Sequence, residues 1–147
     1  TVVPHPALPA LVAAVRRGLA ARSEVTAEKA RAQGDKIAAI LDHAGAVLAV
    51  RQSLAGADAL RQREDYAACA CAIQNIQLAA WERGIASYWT TSDAFIGPEL
   101  DAHWHKANNE AMVGVVVLGS AAIEAKATRY RRPEELTVWL DVPEIGL

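Results

Sequence analysis

Apolar residues recur at spacings of three and four after the prolines near the start of the chain, and they predict a helix over residues 7–22. A polar break follows, and Thr26 is placed to cap a second helix that runs to about Leu41 and carries His43 in its last turn. The uninterrupted apolar run at residues 46–50 is typical of a short strand that is buried on both faces.

The most distinctive helix is predicted over residues 66–83, after a polar surface loop at residues 52–63 and before Gly84, which can end it. Its first two turns, residues 67–73, contain only Ala, Cys and Ile and therefore have no polar face. A helix that is apolar all round is buried on every side. In so small a chain a second copy is the simplest cover, so we expect a homodimer that forms through this helix.

The pattern continues with a short strand at residues 85–89, a helix at residues 97–108 and the strongest strand of the chain at residues 112–119. A basic cluster follows at residues 126–132. The chain then closes with an extended tail in which three apolar residues alternate with polar or aromatic ones: Leu136, Val138 and Leu140. Such a tail has one apolar face, which must lie on its own subunit or on a partner.

The composition describes one globular domain over residues 1–147, because 52% of the residues are apolar and the net charge is only −2. No apolar run approaches the ~20 residues that are needed to cross a bilayer, so a membrane partner is not expected. Nucleic acid is not expected as a partner either, because a near-neutral chain binds a polyanion poorly. Two cysteines are too few for a disulfide framework, which favours a reducing compartment such as the cytoplasm. The chain opens on Thr1, two valines and Pro4, without a signal peptide, and we interpret it as processed or truncated.

Several reaction classes are disfavoured by missing motifs. The chain has no G-x-G-x-x-G after a strand, no G-x-x-x-x-G-K-[ST] and no G-x-S-x-G, which argues against dinucleotide-fold dehydrogenases, P-loop enzymes and α/β-hydrolases. On a helix the thiols of Cys69 and Cys71 lie about 200° apart, so we interpret them as core residues and not as metal ligands. His103 and His105 are interpreted as exposed helix residues and not as metal ligands. No metal site is predicted.

The basic cluster is one candidate binding segment. Arg129 and Arg131 point to the same side if their loop is extended, and the planar guanidinium group suits phosphate oxygens. Composition alone favours the alternative, a solvated basic loop that balances the acids at residues 134–135.

The turn after the strand at residues 85–89 is a second candidate. It offers backbone N–H groups, two hydroxyls and a large aromatic ring from three consecutive residues: Trp89, Thr90 and Thr91. These groups could form a wall for a flat ligand, and they suit an ordinary strand-to-helix connection equally well.

Several segments also occur in a characteristic order along nearly the whole chain. They are EDYA at residues 64–67, AIQNIQLAA at 72–80, RGIASYW at 83–89, VGVVVLG at 113–119 and RYRRPEE at 129–135. In this order the chain resembles the nitroreductase family of FMN-dependent oxidoreductases. The resemblance implies an α+β fold, with a central mixed or antiparallel sheet flanked by helices and a helical dimer interface.

The resemblance also implies a cofactor and a reaction. Two FMN molecules would lie at the subunit interface, NAD(P)H would reduce them, and nitroaromatics, quinones or similar small acceptors would take the electrons. The family's phosphate-binding basic residues correspond to Arg129 and Arg131, and the segment along the isoalloxazine ring corresponds to Trp89, Thr90 and Thr91. This scheme requires no catalytic side-chain acid or base.

The chain departs from the family pattern at one point. Family members also hold the flavin phosphate with an N-terminal arginine-serine-arginine segment, which is absent from these 147 residues. Two other functions stay open at this stage: a flavin-binding or flavin-storing protein of the same fold without turnover, and a purely structural helical dimer with a solvated basic loop.

Overall fold

The computed structural model of the protein describes residues 1–54, 56, 58–121, 123 and 131–138. Its described strands are β1 (Val2–Pro4), β2 (Ala44–Ser53), β3 (Ala86–Thr90) and β4 (Glu110–Gly119). Its described helices are α1 (Leu8–Ala20), α2 (Ala27–Leu41), α3 (Ala59–Glu82), α4 (Pro98–Trp104) and the single turn α5 (Pro133–Leu136). None of these helices combines the length and the apolar character that crossing a bilayer requires.

The four strands form one sheet in the order β1-β2-β4-β3, and every neighbouring pair is antiparallel. The α+β class and the central sheet are therefore confirmed. β2 and β4 form its centre, with Val47 opposite Val117, and their register shifts between Val50 and Arg51. β2 extends to Ser53, beyond the strand predicted at residues 46–50, because β4 supplies pairing partners along its whole length.

The two faces of the sheet carry different layers. On one face, Val47 and Val115 pack into the main core with residues of α1, α2 and α4, including Leu11 and the fully buried Trp104. On the other face, α3 covers a smaller cluster around Ile73. The side chains of a strand alternate between faces, so the β4 run of apolar residues supplies both layers.

The helices predicted at residues 7–22 and from Thr26 to Leu41 are confirmed as α1 and α2. Thr26 caps α2 by accepting a hydrogen bond from the backbone N–H of Lys29 at 3.3 Å. His43 lies beyond the end of α2, and so its predicted place in the last helical turn was wrong.

The predicted loop at residues 52–63 was also wrong, because the end of β2 and the start of α3 occupy most of it. Asp58 caps α3 by accepting hydrogen bonds from the backbone N–H groups of Leu60 and Arg61, at 3.0 and 3.2 Å. The helix thus begins at Ala59, about two turns before the predicted residue 66.

Burial of α3 on every side is not seen within this chain. Only Ile73 and Ala80 of this helix are buried, and Cys71, predicted to be a core residue, is exposed. Cys69 is half-buried and packs against the smaller cluster, as predicted. Among the described residues, those of the sheet cover one side of α3, and none covers the other side.

Two predictions for the second half of the chain need correction. The helix predicted over residues 97–108 is α4, and it ends at Trp104 because His105 adopts a left-handed conformation with φ of 52°. Leu136 and Val138 are exposed, and Leu136 belongs to the helical turn α5, so the tail is not extended there. Leu140 lies outside the described residues.

His103 makes the stability of the fold depend on pH. Its pKa is lowered, first by partial burial beside Trp104 and then by the positive charges of His105 and Arg17. A lowered pKa in the folded state means that the unfolded chain binds more protons, so stability falls as the pH drops below about 6.5.

We therefore expect His103→Gln to reduce the loss of stability between pH 7.5 and pH 5.5. Urea titrations of wild type and of His103→Gln at the two pH values measure the free energy of unfolding and hence this loss. An equal loss of stability in both proteins would contradict this assignment.

Candidate functional site

A cleft lies where β3 ends and β4 continues. Thr90, the last residue of β3, is opposite Val115, so the first residues of β4 extend beyond the end of β3. The cleft has a volume of about 160 Å³. Its lining comes from α3, the end of β3, the turn that follows and β4, and includes Tyr66, Thr90, Thr91, Phe95, Met112 and Gly114.

Trp89 and Gly114 pack closely beside this cleft. A Cβ atom built on Gly114 would overlap Nε1 of Trp89 and would lie 3.0 Å from the carbonyl oxygen of Thr90. The indole therefore occupies the space that a side chain at position 114 would need. Nε1 of Trp89 is buried and has no hydrogen-bond partner among the described residues. A buried polar atom without a partner is uncommon and calls for an explanation.

The turn that lines the cleft is held by its own side chains. Thr90 Oγ1 accepts a hydrogen bond from the backbone N–H of Ser92 at 3.1 Å, and Ser92 Oγ accepts one from the backbone N–H of Ala94 at 3.3 Å. The turn is also tied to the core, because the buried Nε1 of Trp104 donates to the carbonyl oxygen of Phe95 at 3.1 Å. Thr91 stays exposed at the mouth of the cleft.

The same turn also borders a second cavity. This cavity has a volume of about 150 Å³ and lies between α2 and β3, with Ile37, Ile40 and Tyr88 among its lining residues. Thr90 and Phe95 line both cavities. The position of this turn therefore sets the shape of both.

The structure brings part of the predicted site together. Thr90 and Thr91 line the cleft, whereas Trp89 does not line it and packs against Gly114, which does. Arg131 is exposed and is not among the residues that line the cleft. Arg129 lies outside the described residues. The predicted pair of phosphate-binding arginines thus stays a prediction.

The sequence identified Thr90 and Thr91 but not the other residues that line the cleft, among them Tyr66 and Gly114. A signal for Gly114 existed, because a glycine inside an apolar strand often marks close approach of another group. No such signal existed for Tyr66, which was placed only at the start of a helix. Within the described residues, no cluster of His, Cys, Asp or Glu side chains has the arrangement of a metal site.

Comparison with known proteins points to one family. Residues 4–120 match the model of the nitroreductase family. No curated protein matches the chain significantly.

Solved structures with the same fold agree with this match. A nitroreductase-like family protein from Bacillus cereus superposes with a TM-score of 0.77 at 21% identity, over 95% of this chain and 71% of that one. A nitroreductase with bound FMN from Bacteroides fragilis gives a TM-score of 0.68 at 23% identity, over 96% of this chain and 74% of that one. An FMN- and NADPH-dependent nitroreductase from sphigopyxis sp. strain HMH gives a TM-score of 0.60 at 16% identity, over 97% of this chain and 79% of that one. At these identities, the likeness establishes the fold.

Proposed function

The chain belongs to the nitroreductase family, and from this premise we propose that it is an FMN-dependent oxidoreductase. It would take electrons from NAD(P)H and pass them to nitroaromatic, quinone or similar small acceptors. The observation that carries this proposal is the cleft whose lining includes Thr90 and Thr91, two of the three residues that the family resemblance assigns to the flavin ring; the third, Trp89, packs against Gly114 of the same lining. Support for FMN as the cofactor comes from two similar structures, a nitroreductase with bound FMN and an FMN- and NADPH-dependent nitroreductase.

The described residues suit one side of a flat aromatic ring. The lining of the cleft includes Thr90, Thr91 and the ring of Tyr66, and it combines apolar surface with hydrogen-bonding groups, as ligand sites generally do. The indole of Trp89 packs against Gly114 of this lining. The unpartnered Nε1 of Trp89 is an unused donor beside the cleft. A shift of this ring on binding would give the donor a partner.

The cleft of one chain is too small to enclose the whole cofactor. Its 160 Å³ is below the roughly 300–1,000 Å³ that is usual for a small-molecule pocket. α3 supplies one wall and exposes large apolar side chains along its length, with Leu78 57% and Trp81 73% accessible. Exposed apolar surface of this kind marks interaction sites. We therefore keep the homodimer through α3 as part of the proposal, with a second copy completing the pocket.

The roles of individual residues follow from their chemistry. Trp89, Thr90 and Thr91 would lie along the ring and fix its orientation, while Arg129 and Arg131 would neutralise the phosphate. Bound FMN would supply hydride acceptance and donation at its ring. Among the described residues that line the cleft there is no carboxylate, imidazole or amine, so the side chains would act by binding, orienting and excluding water. The two unpaired cysteines favour a reducing compartment, in keeping with the cytoplasm.

The absorption spectrum of the purified protein tests the proposal. We expect a yellow protein with a bound-flavin spectrum, or one that binds added FMN, and that oxidises NADH or NADPH when a quinone or a nitroaromatic is supplied. Sedimentation of the same sample is expected to give the mass of two chains. A colourless protein that neither quenches the fluorescence of added FMN nor gains activity from it would refute the proposal.

Stopped-flow measurement separates turnover from storage. In an oxidoreductase, NAD(P)H bleaches the flavin band within the turnover time. A protein that only stores flavin would bind FMN with the same spectrum, but its flavin would be reduced very slowly or not at all.

A further inference from the structure

Arg22 connects the end of α1 to the turn that lines the cleft. Its Nη1 donates to Asp93 Oδ2 at 2.7 Å, and its Nη2 donates to the carbonyl oxygens of Asp93 at 2.5 Å and Ile96 at 3.3 Å. The three acceptors lie 71 to 74 residues further along the chain. One side chain thus holds both ends of the turn Asp93–Phe95.

These bonds differ from an ordinary surface ion pair, because one partner is sheltered and two of the acceptors are backbone carbonyls. The side chain of Arg22 is only 19% exposed, whereas that of Asp93 is 71% exposed, so the guanidinium group is the sheltered partner. Two of the three bonds go to backbone carbonyls, which places the backbone of the turn itself. The planar guanidinium group has its donors in a fixed arrangement, and a lysine ammonium cannot reproduce that arrangement.

The turn that Arg22 holds forms one wall of the cleft. Phe95 and Ile96 line it directly, and Thr90 and Thr91 come just before the turn in the chain. A wall that is already ordered spares a ligand the cost of ordering it on binding. We propose that Arg22 is a positioning residue that keeps this wall in the arrangement that binds the flavin ring. This inference rests on the proposed function and goes beyond it, since Arg22 is not among the residues that line the cleft.

The affinity for FMN tests the inference, measured by the quenching of FMN fluorescence when protein is added. We expect Arg22→Met to raise the Kd for FMN about tenfold, which corresponds to about 1.4 kcal/mol. Arg22→Lys retains the charge but not the arrangement of donors, so its Kd should lie between those of wild type and Arg22→Met. Arg16→Met is the matched control, because it removes an arginine of α1 that pairs with Asp35 at 2.9 Å and lines no part of the cleft. Its Kd should stay within twofold of wild type.

The outcomes separate this inference from the proposed function. If wild type itself does not bind FMN, the proposed function fails. If wild type binds FMN and Arg22→Met binds it equally well, only the positioning role of Arg22 is refuted. That role is also refuted if Arg16→Met raises the Kd for FMN as much as Arg22→Met does.

Should Arg22→Met fail to fold by circular dichroism, Asp93→Asn provides the test. It removes the exposed carboxylate charge and retains the two backbone acceptors. We expect a Kd about threefold higher, and an unchanged Kd would refute the positioning role.

Discussion

Gly114→Ala is expected to abolish measurable FMN binding and to destabilise the fold by about 1–3 kcal/mol, the usual cost of inserting a side chain into a packed site. The new Cβ would overlap Nε1 of Trp89 and crowd the carbonyl oxygen of Thr90. A backbone oxygen cannot move aside cheaply and an indole is large, so Trp89 must leave its place next to the cleft. Urea titration measures the stability, and quenching of FMN fluorescence measures the binding.

Gly45→Ala is the matched control for this substitution. Gly45 also lies in a central strand, but a Cβ there would meet its nearest neighbour, the carbonyl oxygen of Leu118, at 3.7 Å, an ordinary contact distance. Its stability and its FMN affinity should therefore stay close to those of wild type. If Gly114→Ala binds FMN as tightly as Gly45→Ala does, the close packing of Trp89 against β4 has no part in the site.

Trp104→Ala is expected to destabilise the protein by about 3–5 kcal/mol, the usual cost of removing a large buried aromatic side chain. Trp104 is the largest of the fully buried side chains, and its Nε1 donates to the carbonyl oxygen of Phe95. The substitution would leave a cavity and an unpaired carbonyl in the turn that lines the cleft. Chemical denaturation followed by circular dichroism measures the loss.

Two further variants divide this effect into its parts. Trp104→Phe retains most of the apolar volume and loses the hydrogen bond, so it should cost less than Trp104→Ala. Val2→Ala removes a side chain that is 65% exposed on the edge strand β1 and should change stability by no more than about 0.5 kcal/mol. A loss for Trp104→Ala no larger than that for Val2→Ala would show that Trp104 does not hold the core together.

Local patterns predicted the regular elements well where one face of the element is buried in its own chain. α1 and α2 follow the apolar spacing of the sequence, and Thr26 marks the start of α2. β4 matches its valine-rich run. α3 was predicted too short, because its first two turns have a mixed composition and its start depends on the cap provided by Asp58.

Flavin binding by the predicted site residues stays a prediction, and the structure describes only where some of them lie. Thr90 and Thr91 were singled out because a turn after a strand exposes backbone and hydroxyl groups, and both line the cleft. Arg22 could not be identified, because it was predicted as the last residue of the first helix and its acceptors are more than 70 residues away. Contacts of that kind leave no local trace in the sequence.

The sequence by itself determined most of the helical and extended segments and the family they belong to, since these properties depend on neighbouring residues and on the order of the segments. Only the tertiary structure decided where the cleft lies. The cleft brings together Tyr66, Thr90 and Gly114. These residues meet because β3 pairs with β4 and ends at Thr90, while α3 packs across both strands. Strand order and strand length set that meeting point, and neither follows from the spacing of apolar residues along one strand.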